Sequence, residues 1–324
     1  MNKAIVLSKT GDPEELTWKD WELGSLKSDD VKIRHTFSGI NFIDTYFRSG
    51  IYKPPSLPMV LGREGVGVVE EIGSNVTEFN IGDRVCYVSN FGAYSERNII
   101  EKNSLIHIPK FISDELAAAM MLKGMTAQYL VRQTFKVNSN TTLLYQAAAG
   151  GVGLIACQWA KYLGATVIGT VGSDLKKEIA LSHGCDHVIN YNTENLVESV
   201  RNITGGNGVD YICDGVGAAT YEGSIQLLKH HGTIAIFGAA SGVIYPEMLA
   251  KLPPERYLIR TTLPGYTNTR KSLLACATDL FNIVQSGSVK ININQRYNIK
   301  DAAKAHFDLE NRKTTGSSVL YFNN

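Results

Sequence analysis

The chain has little of what staples, anchors or polarises a protein. Its five cysteines, Cys86, Cys157, Cys185, Cys213 and Cys276, are odd in number, stand far apart and form no CxxC pair. That argues against a disulfide framework and a thiolate metal cluster, and they read as core residues. No segment approaches the roughly 18 apolar residues that span a bilayer, and the apolar run near the start is too short for a secretory signal. The expectation is a cytoplasmic protein. Blocks of like charge are also missing. With 32 Lys and Arg against 31 Asp and Glu, the formal net charge is +1, so electrostatics gives no reason to bind nucleic acid or an anionic membrane. No internal repeat, low-complexity stretch or Ser/Pro-rich linker marks a domain join. What is there is an ordinary globular composition, 44% hydrophobic and 19% charged with 30 glycines, in 324 residues. That length suits two domains of roughly 100 to 200 residues.

From Asp30, Val31, Ile33, His35 and Phe37 alternate with Lys32, Arg34 and Thr36, which predicts a half-buried strand. Further strands are expected at 65–72, 84–88 and 104–108, with turns at Ile81-Gly82-Asp83 and Asn90-Phe91-Gly92, and helical pattern only from near Ser113. From about Lys123 apolar strands alternate with amphipathic helices. Strands at 142–146, 166–171, 187–190, 209–214, 233–237 and 258–262 imply right-handed βαβ units in a doubly wound parallel sheet of six strands. After Pro264 a helix is expected over 269–286, and a tail, 297–322, returns to strand, helix and strand. The fold class is α/β, with a β-rich domain over 1–122 and 264–324 and a Rossmann domain over 123–263.

The strand 142–146 runs into Ala148-Ala149-Gly150-Gly151-Val152-Gly153 and then a helix with the apolar face Val152, Ile155, Ala156, Trp159, Ala160 and Leu163, ended by Gly164. A glycine-rich turn alone is weak evidence, but between a strand and a helix at the head of a βα series it reads as a dinucleotide site. Gly150 lets a pyrophosphate approach the backbone, Gly153 lets helix and strand pack closely, and the helix N-terminus offers N–H groups to the phosphates. Ala148 replaces the usual first glycine. The second strand ends Thr170-Val171-Gly172-Ser173, without the acid that accepts from an NAD ribose. There is room for a 2′-phosphate, for which Lys176 and Tyr191 can supply a charge and a donor, and this favours NADPH. The plainer reading makes Lys176 and Lys177 a solvated face and Asp174 an N-cap. Were Asp174 to reach the ribose, NADH would be acceptable.

Gly39-Ile40-Asn41-Phe42-Ile43-Asp44-Thr45-Tyr46, the stretch Gly62-Arg63-Glu64-Gly65-Val66-Gly67 with Gly73 and Val76 in GxExxGxxxxxGxxV spacing, and residues 147–161 carry a family resemblance. Together they resemble the medium-chain dehydrogenase/reductase superfamily and, within it, the zinc-independent NADPH quinone oxidoreductases related to zeta-crystallin. The resemblance implies a GroES-like catalytic domain and a Rossmann domain with the active site in their cleft. It places Asn41, Tyr46, Tyr52 and Thr126 around the nicotinamide and substrate. The implied cofactor set is Asn41, Thr126, Gly150, Gly151, Val152, Gly153, Ser173, Lys176, Tyr191, Phe237, Gly238 and Arg312. Tyr46 and Tyr52 also suit an amphipathic rim. Where the family often has a serine after the acid ending the fourth strand, this chain reads Asp214-Gly215-Val216-Gly217, which puts one cofactor hydrogen bond in doubt.

Zinc members of the superfamily carry a cysteine at the place of Asn41 and a histidine at that of Arg63, and add a four-cysteine lobe missing here. Glu64 beside an arginine does not make the three protein ligands of a catalytic zinc, so no metal is expected. Without a Lewis acid, alcohol oxidation is disfavoured, while reduction of an electrophilic quinone needs only alignment and exclusion of water. The implied reaction is hydride delivery from NADPH, with Tyr52, Tyr46 or water donating a proton. Two other readings stay open: a zinc-independent NADPH reductase of α,β-unsaturated carbonyls, and an NADPH-binding structural or RNA-binding protein with little catalysis. The near-neutral charge speaks against RNA. The family commonly dimerises through the edge of the Rossmann sheet, and the strand 258–262 would otherwise be an uncovered edge, so a homodimer is expected.

Overall fold

The computed structural model describes residues 2–323, and in it the chain forms two compact units. One contains the residues up to Leu122, Thr267–Phe281 and those from Ile291 onward; the other contains Lys123–Tyr266 and Asn282–Lys290. Gln158 ties that last segment to the second unit, its Nε2 donating to the Lys290 carbonyl and its Oε1 accepting from the Lys290 N–H, both at 2.9 Å.

Among the described residues the first unit holds a seven-stranded sheet and a three-stranded one. The larger runs Ile293–Asn298, Ser317–Tyr321, Asp30–Gly39, Glu64–Ile72, Arg84–Val88 and Ile106–His107, with Arg97–Glu101 also pairing with Asp30–Gly39. The alternation read in the sequence is physical: Val31, Ile33 and His35 are buried while Lys32 and Arg34 are half-buried. The strand expected at 104–108 shrinks to Ile106–His107 because Lys102–Ser104 takes a 3₁₀ turn. Helix also begins earlier than Ser113, since Phe42–Ser49 is helical and ends at Gly50, whose φ is +88°. Eight residues give too little periodicity to detect. What marks this helix locally is Asn41 followed three residues later by Asp44, whose carboxylate accepts from the Asn41 N–H at 3.1 Å, an N-terminal capping arrangement.

The second unit contains a parallel sheet of six strands in the order His187–Asn190, Thr166–Val171, Thr142–Tyr145, Val209–Asp214, Leu228–Ile236 and Tyr257–Arg260. The fifth begins at Leu228 rather than 233. Ile168, Leu144, Ile212, Ile234 and Leu258 stand side by side in register across five strands, and the first four are buried. Each such buried aliphatic contributes about 1.5–3 kcal/mol of transfer free energy. Helix Gly151–Tyr162 buries Leu154 and Cys157 besides Ile155, Ala156, Trp159 and Ala160, whereas Val152 and Leu163 are half-buried. Its apolar surface is therefore wider than the single stripe read from the sequence. All five cysteines are free and buried.

Candidate functional site

The first part of the site is the turn between strand Thr142–Tyr145 and helix Gly151–Tyr162. Ala147 has φ +59°, a left-handed conformation that a residue with a Cβ adopts rarely. A buried chain of side chains holds this turn. Thr170 Oγ1 accepts from the Ala147 N–H at 3.2 Å and donates to Gln146 Oε1 at 2.6 Å, and Gln146 Nε2 donates to Ser224 Oγ at 2.8 Å. Gly150 is the N-cap residue, and a Cβ there would meet only the Ala147 carbonyl oxygen, at 3.2 Å. A Cβ on Gly153 would sit 2.6 Å from the carbonyl oxygens of both Ala147 and Ala148, so glycine is needed for the helix to lie on the turn. An open backbone cradle at a helix N-terminus, whose first N–H groups lack intrahelical acceptors, fits a pyrophosphate.

The end of the second strand decides what lies beyond. Ser173 is the N-cap of helix Asp174–Leu181, its Oγ accepting from the Lys176 N–H at 3.3 Å. Asp174 is thus the first helical residue and not the cap that the plainer reading made it. Its carboxylate oxygen Oδ1 accepts from Asn190 Nδ2 at 2.8 Å. Lys177 pairs with Glu194 at 2.8 Å. Tyr191 is exposed, and its Oη lies 2.5 Å from where a Cβ on Gly172 would stand. Gly172 leaves room for that ring, and the strand end carries a serine hydroxyl, a half-buried lysine and a tyrosine.

At the fourth strand's end Asp214 is spent internally. Its Oδ1 accepts from the N–H groups of Val216 and Gly217 at 2.7 and 2.9 Å, and its Oδ2 accepts from Thr220 Oγ1 at 2.7 Å. Burial raises its pKa and these donors lower it, with burial the larger effect. Phe237 covers Gly215, and Gly238 backs onto it: a Cβ on Gly215 would meet the Phe237 ring at 2.8 Å, and one on Gly238 the Gly215 carbonyl at 2.5 Å. Thr126 is buried on helix Asp114–Tyr129.

In the first unit, strand Asp30–Gly39 delivers Asn41 to the start of helix Phe42–Ser49. Asn41 is buried, and its Nδ2 donates to Glu64 Oε2 at 2.8 Å while Glu64 Oε1 accepts from the Leu122 N–H at 2.8 Å. Glu64 is wholly buried, and a Cβ on Gly39 would overlap its carboxylate. Tyr46 is buried, 5% exposed, and so is not a rim residue; half-buried Tyr52 meets it edge-on with ring centres 5.2 Å apart, and the Tyr52 N–H donates to the Tyr46 carbonyl. Arg63 donates through Nε and Nη2 to the Ser89 carbonyl at 3.0 and 2.6 Å and lies over the rings of Phe47 and Phe91. Arg312 belongs to this unit too, exposed in the turn after helix Ala302–Glu310 with φ +59°.

The structure thus gathers Gly150, Gly151, Val152 and Gly153 at one turn, and Ser173, Lys176 and Tyr191 at one strand end. In the first unit it brings Asn41, Tyr46 and Tyr52 onto one helix and the segment after it. Sequence reading missed the supports: Thr170, Gln146 and Ser224 under the glycine turn, and Glu64 and Asp44 around Asn41. Only the Asn41–Asp44 spacing offered a local signal for any of them.

Comparison with known proteins matches residues 27–137 to the alcohol dehydrogenase GroES-like domain and 151–276 to the zinc-binding dehydrogenase family. The chain is 44% identical over 323 residues to a quinone oxidoreductase of Pseudomonas aeruginosa, covering 99% of each chain. It superimposes on a structure of Escherichia coli quinone oxidoreductase complexed with NADPH with a TM-score of 0.95, at 43% identity and covering 98% of this chain and 99% of that one. It is also 40% identical over 329 residues to a 2-haloacrylate reductase from Burkholderia, covering 99% of each.

Proposed function

Because the chain belongs to the quinone oxidoreductase family of the medium-chain dehydrogenase/reductase superfamily, we propose that it is a zinc-independent reductase passing reducing equivalents from NADPH to quinones, working as a cytoplasmic homodimer. The observation that carries the cofactor is the end of strand Thr166–Val171, where Gly172, Ser173, Lys176 and Tyr191 stand and Asp174 is bound to Asn190. An acid closing the strand would repel a 2′-phosphate; here Ser173 closes it, and serine, lysine and tyrosine can receive one.

NADPH, when bound, supplies the hydride. Gly150, Gly151, Val152 and Gly153 would hold its pyrophosphate at the helix N-terminus, Ser173, Lys176 and Tyr191 its 2′-phosphate. Phe237, Gly238 and Arg312 complete the cofactor set, and Asn41 and Thr126 serve both cofactor and acceptor. Tyr46 and Tyr52 contact the acceptor, and Tyr52, Tyr46 or water gives the proton to the reduced oxygen. Independence from zinc is supported by what occupies the two ligand positions. Asn41 spends its amide on Glu64, and Arg63 brings a cation that repels a metal. Catalytic and cofactor domains are taken as 1–122 with 264–324, and 123–263. The homodimer is supported by the outer position of Tyr257–Arg260 in the parallel sheet.

A 2-haloacrylate reductase among the relatives favours a second reading, reduction of activated alkenes. Initial rates with 1,4-benzoquinone and with a small enone, each with NADPH and NADH, decide among these. The expected outcome is oxidation of NADPH in preference to NADH and higher kcat/KM on the benzoquinone. A strong preference for the enone sinks the quinone assignment; tight NADPH binding with neither acceptor reduced makes the chain a binding protein. Sedimentation at twice the chain's mass is expected for the dimer.

A further inference from the structure

The family set does not use the groups on which Asn41 itself rests. Asp44 is wholly buried one turn into helix Phe42–Ser49, and its Oδ2 accepts from the Asn41 N–H at 3.1 Å and from Tyr94 Oη at 3.2 Å. Tyr94 Oη also lies 3.2 Å from His306 Nε2, on helix Ala302–Glu310. An ionised carboxylate only accepts. Tyr94 therefore donates to Asp44, and its oxygen is left to accept the Nε2–H of His306. His306 is neutral, burial first and then the Arg48 cation pushing its pKa down to about 3, and its tautomer with the proton on Nε2 fills that part. Arg48 is held in turn by the Gly11 carbonyl at 2.9 Å and by Glu310.

We propose that Asp44 is a positioning residue of the acceptor site, gripping the Asn41 backbone while Glu64 grips its side chain, with Tyr94 and His306 as the chain that orients the Asp44 carboxylate. The inference rests on the reading of Asn41 as a residue facing acceptor and nicotinamide. Two carboxylates then fix one asparagine from opposite ends, and an asparagine so fixed presents one face of its amide. The charges facing Asp44 oppose each other. Burial pushes its carboxyl up to about 7, Arg63 and the donors Asn41 and Tyr94 pull it down, and Glu64 pushes it up. The grip is thus set to weaken in the working pH range, because a protonated carboxyl is a poorer acceptor than a carboxylate.

The test follows the Asn41 backbone amide by NMR in the full-length protein labelled with ¹⁵N-asparagine, from pH 5.5 to 8.5, beside kcat and KM with NADPH and 1,4-benzoquinone. In the unaltered chain the Asn41 amide should titrate with a midpoint near 7. In Asp44→Asn that titration should vanish and kcat should fall about tenfold, with the KM for NADPH within about twofold. Tyr94→Phe removes a donor to the ionised form while keeping the ring, so the midpoint should rise by about half a unit or more. An Asn41 amide that does not titrate, or titrates unchanged in Asp44→Asn, overturns the proposal. So does an Asp44→Asn variant with lowered melting temperature but kcat within twofold, for Asp44 is then only a helix cap. If the unaltered chain reduces no benzoquinone yet the Asn41 titration is lost in Asp44→Asn, the grip stands and the quinone reading fails.

Discussion

At the scale of single residues the proposed preference for NADPH rests on side chains that are few and simple to alter. Lys176 is half-buried one turn into helix Asp174–Leu181, where only its backbone N–H is needed for the Ser173 cap. Lys176→Ala keeps that bond and removes a cation, so NADPH affinity should fall about tenfold while NADH affinity stays put, since one charge-assisted bond to phosphate is lost. Nucleotide fluorescence titration measures both; equal losses for the two nucleotides would take Lys176 out of phosphate recognition. Ser173 and Lys176 could be picked out as candidates in the sequence because distance from a glycine turn is a local feature. Glu64 and Asp44 were not, because a carboxylate's role depends on the donors that the fold brings to it, here Asn41, Leu122 and Tyr94.

Elements carry the next layer. Strand, turn and helix at 142–162 were read almost to the residue because apolar runs, glycine spacing and amphipathic period all agree there. The price of that close packing is visible at Gly153, where a methyl would meet two carbonyl oxygens at 2.6 Å. Gly153→Ala should therefore force helix and turn apart, lowering stability of the second unit by about 1–3 kcal/mol and weakening NADPH binding more than tenfold. Thermal unfolding and nucleotide titration on one preparation test this; a variant melting and binding like the parent means the turn has slack that the static packing does not show. Helix Phe42–Ser49 went unread for the opposite reason. It is short, and most of its definition comes from tertiary partners such as Tyr94 rather than from its own periodicity.

For the molecule as a whole, three buried groups with large shifts contribute to the response to acid. Burial pushes His35 down to about 4, against a hydrogen bond with the Ser95 carbonyl that raises it, and His306 to about 3, while Asp44 rises to about 7. The histidines add stability that is fully present above pH 6.5 and lost as pH falls toward 4 and 3. Asp44 acts the other way, adding stability present below pH 3.8 and lost as pH rises through 7. Around pH 5 the unfolded chain holds two protons on the histidines that the folded chain lacks, and the folded chain holds one on Asp44 that the unfolded lacks. The histidines win by one proton, so these groups lower stability by on the order of 1.4 kcal/mol per pH unit between about pH 6 and 4.5. All three lie in the first unit, as do Trp18 and Trp21. Denaturant midpoints followed by tryptophan fluorescence should thus fall across that range; a rise would mean that Asp44 outweighs the histidines.

By itself the sequence determined the class of the protein: an α/β chain with a parallel sheet of six strands and a glycine turn between strand and helix. Each follows from periodicities and spacings that short stretches of chain carry whole. Only the tertiary structure decided that Tyr46 is buried, that Asp174 is bound to Asn190 and that Asn41 is held by two carboxylates at once. Those facts depend on burial and on partners distant in sequence, such as Asn41 and Glu64 or Tyr94 and His306. The electrostatics of a buried carboxyl exists only once such partners have met and water has been excluded.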